Sequence, residues 1–385
     1  MKLLQRKWTE DKGWLTISDN LGAYKRFAQL VLIFGSTDAL KNKELYKDIK
    51  EEFSDAKIAG CATAGEICGD DLLNDSVVLT AIYFEYSTIE TSAIFLDQYP
   101  GFNLKQIAQE LIEAIPITDL VHVFVLSDGI EINGSELVKG FRTVVPEGIS
   151  VTGGLSGDYY RFLEAPVVAD VMACKNTIMV IGFYGKNLTI GTSSRAGWGE
   201  FGGEKQITKS KGNKLYTLDG ESALPFYERY LGDSFREVPA SSIHFPISIK
   251  REGHDNWMTR TIIGIDREED SLTFAGDVPL GCIARLMKTD TQLLIESSKQ
   301  AAMDIKKRFG HPDLAILISC FGRRGVMVKD TSKELRAVRE VFGDTTVMTG
   351  FYSYGEIAPF KGGTSFELHN QTMTITAISE HRSGA

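Results

Sequence analysis

The chain has 385 residues, 43% of them hydrophobic and 24% charged, which is enough to bury a sizeable core and, by size, to hold two or more domains. Its formal net charge is -9, its pI is near 5.4 and its longest basic run is Lys306-Lys307-Arg308, a balance that argues against a nucleic-acid surface. Five cysteines without a CxxC pair argue against a disulfide framework or a tetrahedral zinc site, the start MKLLQRKWTE lacks a signal peptide's apolar core, and no apolar run approaches the roughly 18 residues of a membrane helix, so a cytoplasmic protein without membrane insertion is expected.

In chain order, a helical stretch at 23–30 leads into the apolar run VLIFGSTD (31–38), a helix at 40–53, a second run IAGCATAGEI (58–67) and the strand-like SVVLTAIYF. The same order returns with a helix at 104–115, HVFVLSDG (122–129), a helix at 135–144, VTGGLSGD (151–158), and the β-rich PVVADVMA and NTIMVIGFYG. A break at 191–212, rich in Gly, Ser and Lys, is followed by the helix-like SALPFYERYLG (222–232) and by a β-rich insert at 241–286 with SIHFPISIK, TRTIIGID and DSLTFAGD as strands. The third copy runs from a helix at 291–308, with Leu293, Leu294, Ala301 and Ile305 at helical spacing, through AILISCFGRR (315–324), a helix at 333–342 and VMTGFYSYGEI (347–357) to QTMTITAIS.

Each copy therefore reads α-β-α-β-β-β. The β-α-β part implies parallel neighbours and the later runs imply antiparallel additions. The expected fold class is α/β: repeated units with mixed sheets and outer helices, in two domains. Residues 1–27 read as an N-terminal extension, 28–219 as the first domain and 220–380 as the second, with the boundary near Asp219.

The first and third glycine loops align position for position, with Gly60, Thr63, Gly65, Glu66 and Ile67 against Gly350, Ser353, Gly355, Glu356 and Ile357. The second ends in Gly157 and Asp158. An internal repeat that lifts one carboxylate per copy at a strand end points to loops gathered around a shared site. Gly65, Gly157 and Gly355 permit close backbone approach, and Glu66, Asp158 and Glu356 would either bind an ammonium group or accept bonds from their own loops. In the third copy Arg323 and Arg324 offer planar forks for a carboxylate or phosphate, against the plainer reading of surface ion pairs. Cys320 reads as a small buried residue or a thiol lowered by arginine. Tyr352 and Tyr354 belong to an aromatic cluster with Tyr159, Tyr160, Phe162, Trp198, Phe201, Phe351 and Phe360, suited to a ligand pocket or to a domain interface.

Together, GCATAGEI, GGLSGD, KGNKLYTLDGESALPFYERYLG, FAGDVP, the SCFGRR loop, GFYSYGEIAP and LHNQTMT resemble the FIST family, in the family's order and over nearly the whole chain. The resemblance implies tandem N-terminal and C-terminal FIST domains in a bacterial signal-transduction sensor for small ligands, amino acids first among them. It also implies a subset of stand-alone members that carry haem, sense nitric oxide and regulate a partner histidine kinase. No kinase or other output module stands within these 385 residues, which resembles that subset.

Under the haem reading His369, at the head of LHNQTMT, is the candidate axial ligand, with Asn370 or a backbone carbonyl holding its other nitrogen. His244 and His254 are the controls, while His122 lies inside a strand run and His381 near the C-terminus. A structural or small-ligand role for His369 stays open. The enzyme alternative is a small-amide hydrolase with Ser127, Ser319 or Cys320 as nucleophile, but no histidine base lies in these loops and no GxSxG, HExxH or Walker-type string occurs.

Overall fold

The computed structural model describes residues 1–237, 241–251, 253, 256–360 and 363–381. Three apolar runs, Leu30–Gly35, Leu120–Ser127 and Leu314–Cys320, are buried along almost their whole length. Each pairs in parallel with the second run of its own copy: Lys57–Ala62, Ser150–Leu155 and Val347–Ser353. Strands covered on both faces need apolar residues on both, so these runs show no alternation. The crossover helices Lys43–Glu52 and Gly134–Val144 start where Asn42 and Asn133 accept hydrogen bonds from their first turns. The third, Ser332–Phe342, has no side-chain cap.

The three sheets share one topology. In the first unit the central order is Lys57–Ala62, Leu30–Gly35, Ser76–Tyr83, Lys2–Thr9; in the second, Ser150–Leu155, Leu120–Ser127, Thr177–Tyr184, Thr88–Phe95; in the third, Val347–Ser353, Leu314–Cys320, Met373–Glu380, Leu188–Arg195. The next position in each sheet is filled from another unit. Glu66–Cys68 of the first unit pairs with Val347–Ser353 of the third and carries Asp71–Leu73 with it. Gly355–Pro359 of the third pairs with Ser150–Leu155 of the second and carries Phe366–His369. Val167–Ala169 of the second pairs with Lys57–Ala62 of the first, closing the cycle. The units are thus cyclically strand-exchanged about a pseudo-threefold axis. Their inner faces share a core containing Phe34, Phe124, Phe183 and Phe351, with the Phe34 and Phe351 rings 4.8 Å apart. The outer faces carry separate helix-covered cores.

Each unit opens with a strand ahead of its first helix, one element more than the sequence pattern indicates. Residues 1–27, read as an extension, hold that strand in the first unit together with a further strand, Gly13–Asp19. The helical stretch at 23–30 is a short 3-10 helix, Gly22–Phe27. The break at 191–212 begins inside Leu188–Arg195, the corresponding strand of the third unit. Asp219 falls between Lys214–Leu218 and Glu221–Ser222, in a fourth, nine-stranded sheet inserted ahead of the third unit's long helix Thr291–Phe309. That sheet has its own core, including Tyr227 and Phe274. It is tied to the rest by the buried Arg260, whose Nη1 donates to the Leu368 carbonyl at 2.9 Å.

Candidate functional site

The glycine loops meet where the exchanged strands leave their own units. At equivalent places Gly60, Gly153 and Gly350 lie so close to the neighbouring parallel strand that an added Cβ would stand 1.7, 2.0 and 1.8 Å from the carbonyl oxygens of Ile33, Val125 and Leu317. Only glycine fits there. Counted from these residues, the acid stands six positions on in the first and third units and five in the second. The loops then bond to one another in a ring: Ala64 N–H to the Tyr352 carbonyl (2.8 Å), Gly157 N–H to Ala62 (3.0 Å) and Tyr354 N–H to Leu155 (3.2 Å). Gathering of the three loops is therefore a feature of the fold, made by backbone hydrogen bonds between them.

Glu66 and Glu356 are twins. Both are buried; Glu66 accepts from the Thr63 and Ser76 hydroxyls (2.6 Å each), and Glu356 from Ser353 (2.6 Å) and from the Thr372 N–H and hydroxyl (3.1 and 2.9 Å). Burial pushes each carboxyl up to about 7, outweighing these hydrogen bonds and the nearby charges of Arg324 and Arg323. Each oxygen is committed to the loop, so neither acid as placed presents a free carboxylate to a ligand's ammonium group. Asp158, one residue out of step, does a different job. Its carboxylate accepts the Phe162, Leu163 and Glu164 N–H groups (2.8, 2.8 and 3.0 Å) and the Tyr354 hydroxyl, clamping a turn of the chain.

The arginines are also committed. Arg323 is fully buried, 2.6 Å from Glu334, and donates to the carbonyls of Ala196 and Leu294 and to Ser297 and Ser298. As placed, Arg323 presents no free fork for a carboxylate or phosphate, because Glu334 and two carbonyls occupy its donors. Glu334 also accepts from the Ser319 hydroxyl (2.9 Å) and from Tyr352 (2.7 Å), making it the hub of a polar cluster; it sits on an amphipathic helix, where no motif marks it. Arg324 reaches into the first unit, donating to the Ala64 carbonyl and to Asn74 and lying 4.4 Å from the Tyr159 ring centre. It packs on Gly65, whose φ of +132° and lack of a side chain leave it room. Gly157 and Gly355 likewise abut Tyr354 and Leu155.

Tyr352 is core and Tyr354 half-buried, stacked on Phe162 at 4.9 Å. The candidate nucleophiles face inward: Ser127 donates to the Asp128 carbonyl, Ser319 to Glu334, and burial pushes the Cys320 thiol far up.

His369 is 6% exposed, with Nε2 3.2 Å from the Ala358 carbonyl and the Phe360 ring 5.3 Å away. A carbonyl can only accept, so Nε2 carries the proton; burial and Arg260 lower the ring's pKa to about 4 and keep it neutral. The donor chemistry suits an axial ligand, but as packed the sealed ring and the committed Arg323 do not fit a macrocycle. His244 ends a 3-10 turn, with its pKa lowered by partial burial, and His254 lies outside the described residues. Among the described residues no group of three or more His, Cys, Asp or Glu could hold a metal ion, and no helix is long and apolar enough to cross a membrane.

The turn after His369 differs from everything around it. Asn370 is 1% exposed, and neither its Oδ1 nor its Nδ2 has a hydrogen-bond partner; the Gln371 Oε1 is also buried and unpartnered. Gln371, in the left-handed region at φ 64°, presses against Gly322, reaches toward the Ile243 carbonyl and takes the Trp198 indole N–H on its own carbonyl at 3.2 Å. The turn thus lies between the third unit's Cys320–Gly322 segment and the inserted sheet's approach. This is outside the carboxyl end of a parallel strand, where open α/β sheets bind ligands. The string LHNQTMT singled out Asn370 as one possible holder of the His369 ring, a place that the Ala358 carbonyl takes, and it did not single out Gln371.

Three strand-exchanging α/β units with an inserted β-domain define a repeat-built α/β protein. The family model for the FIST N domain matches residues 29–221 and that for the FIST C domain matches 223–359, so the chain belongs to the FIST family. FIST domains are associated with sensing small ligands in signal transduction and are sensory rather than catalytic. No curated protein matches the chain.

Proposed function

We infer that this protein senses a small polar ligand of amino-acid type at the Asn370–Gln371 turn and passes its state to a separate signalling protein such as a histidine kinase. The observation that carries the reading is the pair of unpartnered Asn370 amide atoms in a buried turn. Each such atom costs about 1–3 kcal/mol unless something bonds to it, and a primary amide offers donor and acceptor together, the match for a carboxylate and an ammonium group on one carbon. A ligand there would touch both the third unit and the residues around Ile243. It could favour one relative placement of the two by its differential affinity, which is all a sensor needs.

Titration calorimetry with the individual amino acids tests this. Binding that is lost in Asn370→Leu supports the reading, and unchanged binding in that variant removes the turn from the site. In the absence of ligand the same variant should be as stable as the parent or more so by about 1–2 kcal/mol, because a near-isosteric apolar side chain replaces an unsatisfied one.

Haem with nitric oxide is the second reading, favoured by the neutral His369 ring whose Nδ1 keeps its lone pair. It requires the packing of Phe360 on the ring to open. A stoichiometric Soret band in protein expressed with haem supplied, lost in His369→Ala and kept in His244→Ala and His254→Ala, is the expected outcome under that reading; no band in any of these proteins leaves the amino-acid reading standing.

A further inference from the structure

The first and third units carry the same hairpin and the same turn after it. Leu72 and Leu73 pair with Ile67 and Glu66 as Leu368 and His369 pair with Ile357 and Glu356, so the residues that follow, Asn74-Asp75-Ser76 and Asn370-Gln371-Thr372, are equivalent. Asp75 and Gln371 share the left-handed backbone, with φ of 49° and 64°, and the Ser76 and Thr372 hydroxyls donate to the twin glutamates at 2.6 and 2.9 Å. One difference separates the two turns. Asn74 Oδ1 accepts from the Arg324 guanidinium at 2.6 Å, whereas neither amide atom of Asn370 has a partner.

The strand exchange accounts for this difference. The first unit's hairpin lies against the third unit, where Arg324 stands seven residues beyond Leu317, whose carbonyl faces the tight Gly350. The third unit's hairpin lies against the second, where the same count from Val125, which faces Gly153, gives the buried Ile132. Ile132 shares an apolar cluster with Leu155 and Leu368, and these two leucines stand over Gly355 where Arg324 and Leu72 stand over Gly65. The buried Arg260 does not substitute, because its N–H groups go to the Thr259, Asp277 and Leu368 carbonyls. The third unit therefore keeps the amide and lacks its guanidinium.

We propose that the Asn370–Gln371 turn takes a ligand whose cationic group is a guanidinium, an arginine-type amino acid; the proposal rests on the reading of this turn as the ligand site. Of the three unpartnered atoms, Asn370 Oδ1 and Gln371 Oε1 only accept. A planar fork of N–H donors meets two acceptors at once, as Arg324 already meets Asn74 and the Ala64 carbonyl in the equivalent turn. Asn370 Nδ2, the one donor, is left for the ligand's carboxylate. The Gln371 side chain rests on Gly322 and holds the Ile243 carbonyl by a single 3.4 Å bond, so turning its oxygen to the ligand gives up little.

Calorimetry on the full chain with arginine, its uncharged isostere citrulline and lysine tests this. Arginine should bind at least about tenfold more tightly than either, since citrulline lacks the charge and part of the donor set and lysine lacks the fork. Asn370→Leu should lose that binding while keeping the parent's circular dichroism. Arginine held no more tightly than citrulline or lysine, or held equally by Asn370→Leu, would overturn the proposal. If a different amino acid binds the parent in preference to arginine and is lost in Asn370→Leu, the guanidinium is refuted and the turn stays the ligand site; if no amino acid binds the parent, both are refuted.

Discussion

Glu66 and Glu356 hold their protons to about pH 7 because burial penalises the ionised form, whereas an ordinary glutamate ionises near 4.5. Their stabilising effect is full below the ordinary carboxylate range and is lost as pH rises from there through about 7. Replacing both by glutamine, which keeps the shape and polarity of the protonated acid, should leave stability unchanged below the ordinary carboxylate range and raise it by several kcal/mol near pH 8 in urea unfolding. His122 and His369 act with the opposite sign: burial lowers them to about 3 and about 4, so their contribution is present above 6.5 and lost as pH falls from 6.5 toward those values. The double glutamine variant should therefore expose a fall in stability on acidification that the two glutamates offset in the parent. A variant that keeps the parent's alkaline loss of stability would mean that the two carboxyls are ionised in the native protein. Their equivalence was legible in the aligned loops, since Thr63 and Ser353 stand at the same offset. Asp158 was misread as a third equivalent because its loop is one residue shorter, and that offset shows only against the glycine packed on the neighbouring strand.

Helices and strands of each β-α-β were readable because burial on both faces writes itself as unbroken apolar runs, and crossover helices write a 3.6-residue period. Strand exchange was not readable. Glu66–Cys68 and Val167–Ala169 are three residues long, and their partners lie in other units, so no local pattern could say which edge they join. The partner of Arg323 was not readable for a related reason: Glu334 comes from a helix turned inward, and charge alone does not tell a buried ion pair from a ligand clamp. What the repeat did disclose was the place where backbones touch. Gly60→Ala or Gly350→Ala should destabilise the protein by several kcal/mol, since the new methyl meets a backbone carbonyl at less than 2 Å that can yield only if the parallel pair parts. Gly203→Ala, where nothing lies within 4 Å, is the control, and equal denaturation midpoints for the three variants would refute the tight approach.

At the scale of the molecule, the sequence families cut the chain at 221 and 223, while the hydrogen-bonded sheets run across that cut. The first sheet borrows a strand from the second unit, the second from the third and the third from the first, and Leu188–Arg195, matched within the FIST N domain, pairs along its length with Met373–Glu380. No unit can unfold alone without stripping an edge from a neighbour and exposing part of the common core around Phe34, Phe124 and Phe351. The three units should therefore melt in one cooperative step, in contrast to a linear array of repeats, which loses units one by one. The nine-stranded insert, with its own core around Tyr227 and Phe274, is the part able to open separately. Hydrogen exchange should accordingly show one shared opening free energy for the amides of Leu30–Gly35, Leu120–Ser127 and Leu314–Cys320, with the insert's strands at or below it. A fragment ending at residue 221 should fail to fold to a native-like near-ultraviolet spectrum, because it retains Val167–Ala169 for the first sheet but lacks Gly355–Pro359 for the second and the whole of the third unit's parallel pair. A fragment that unfolds cooperatively with the parent's midpoint would show that the exchanged strands contribute little, and the ring of units would then be an assembly of independent parts.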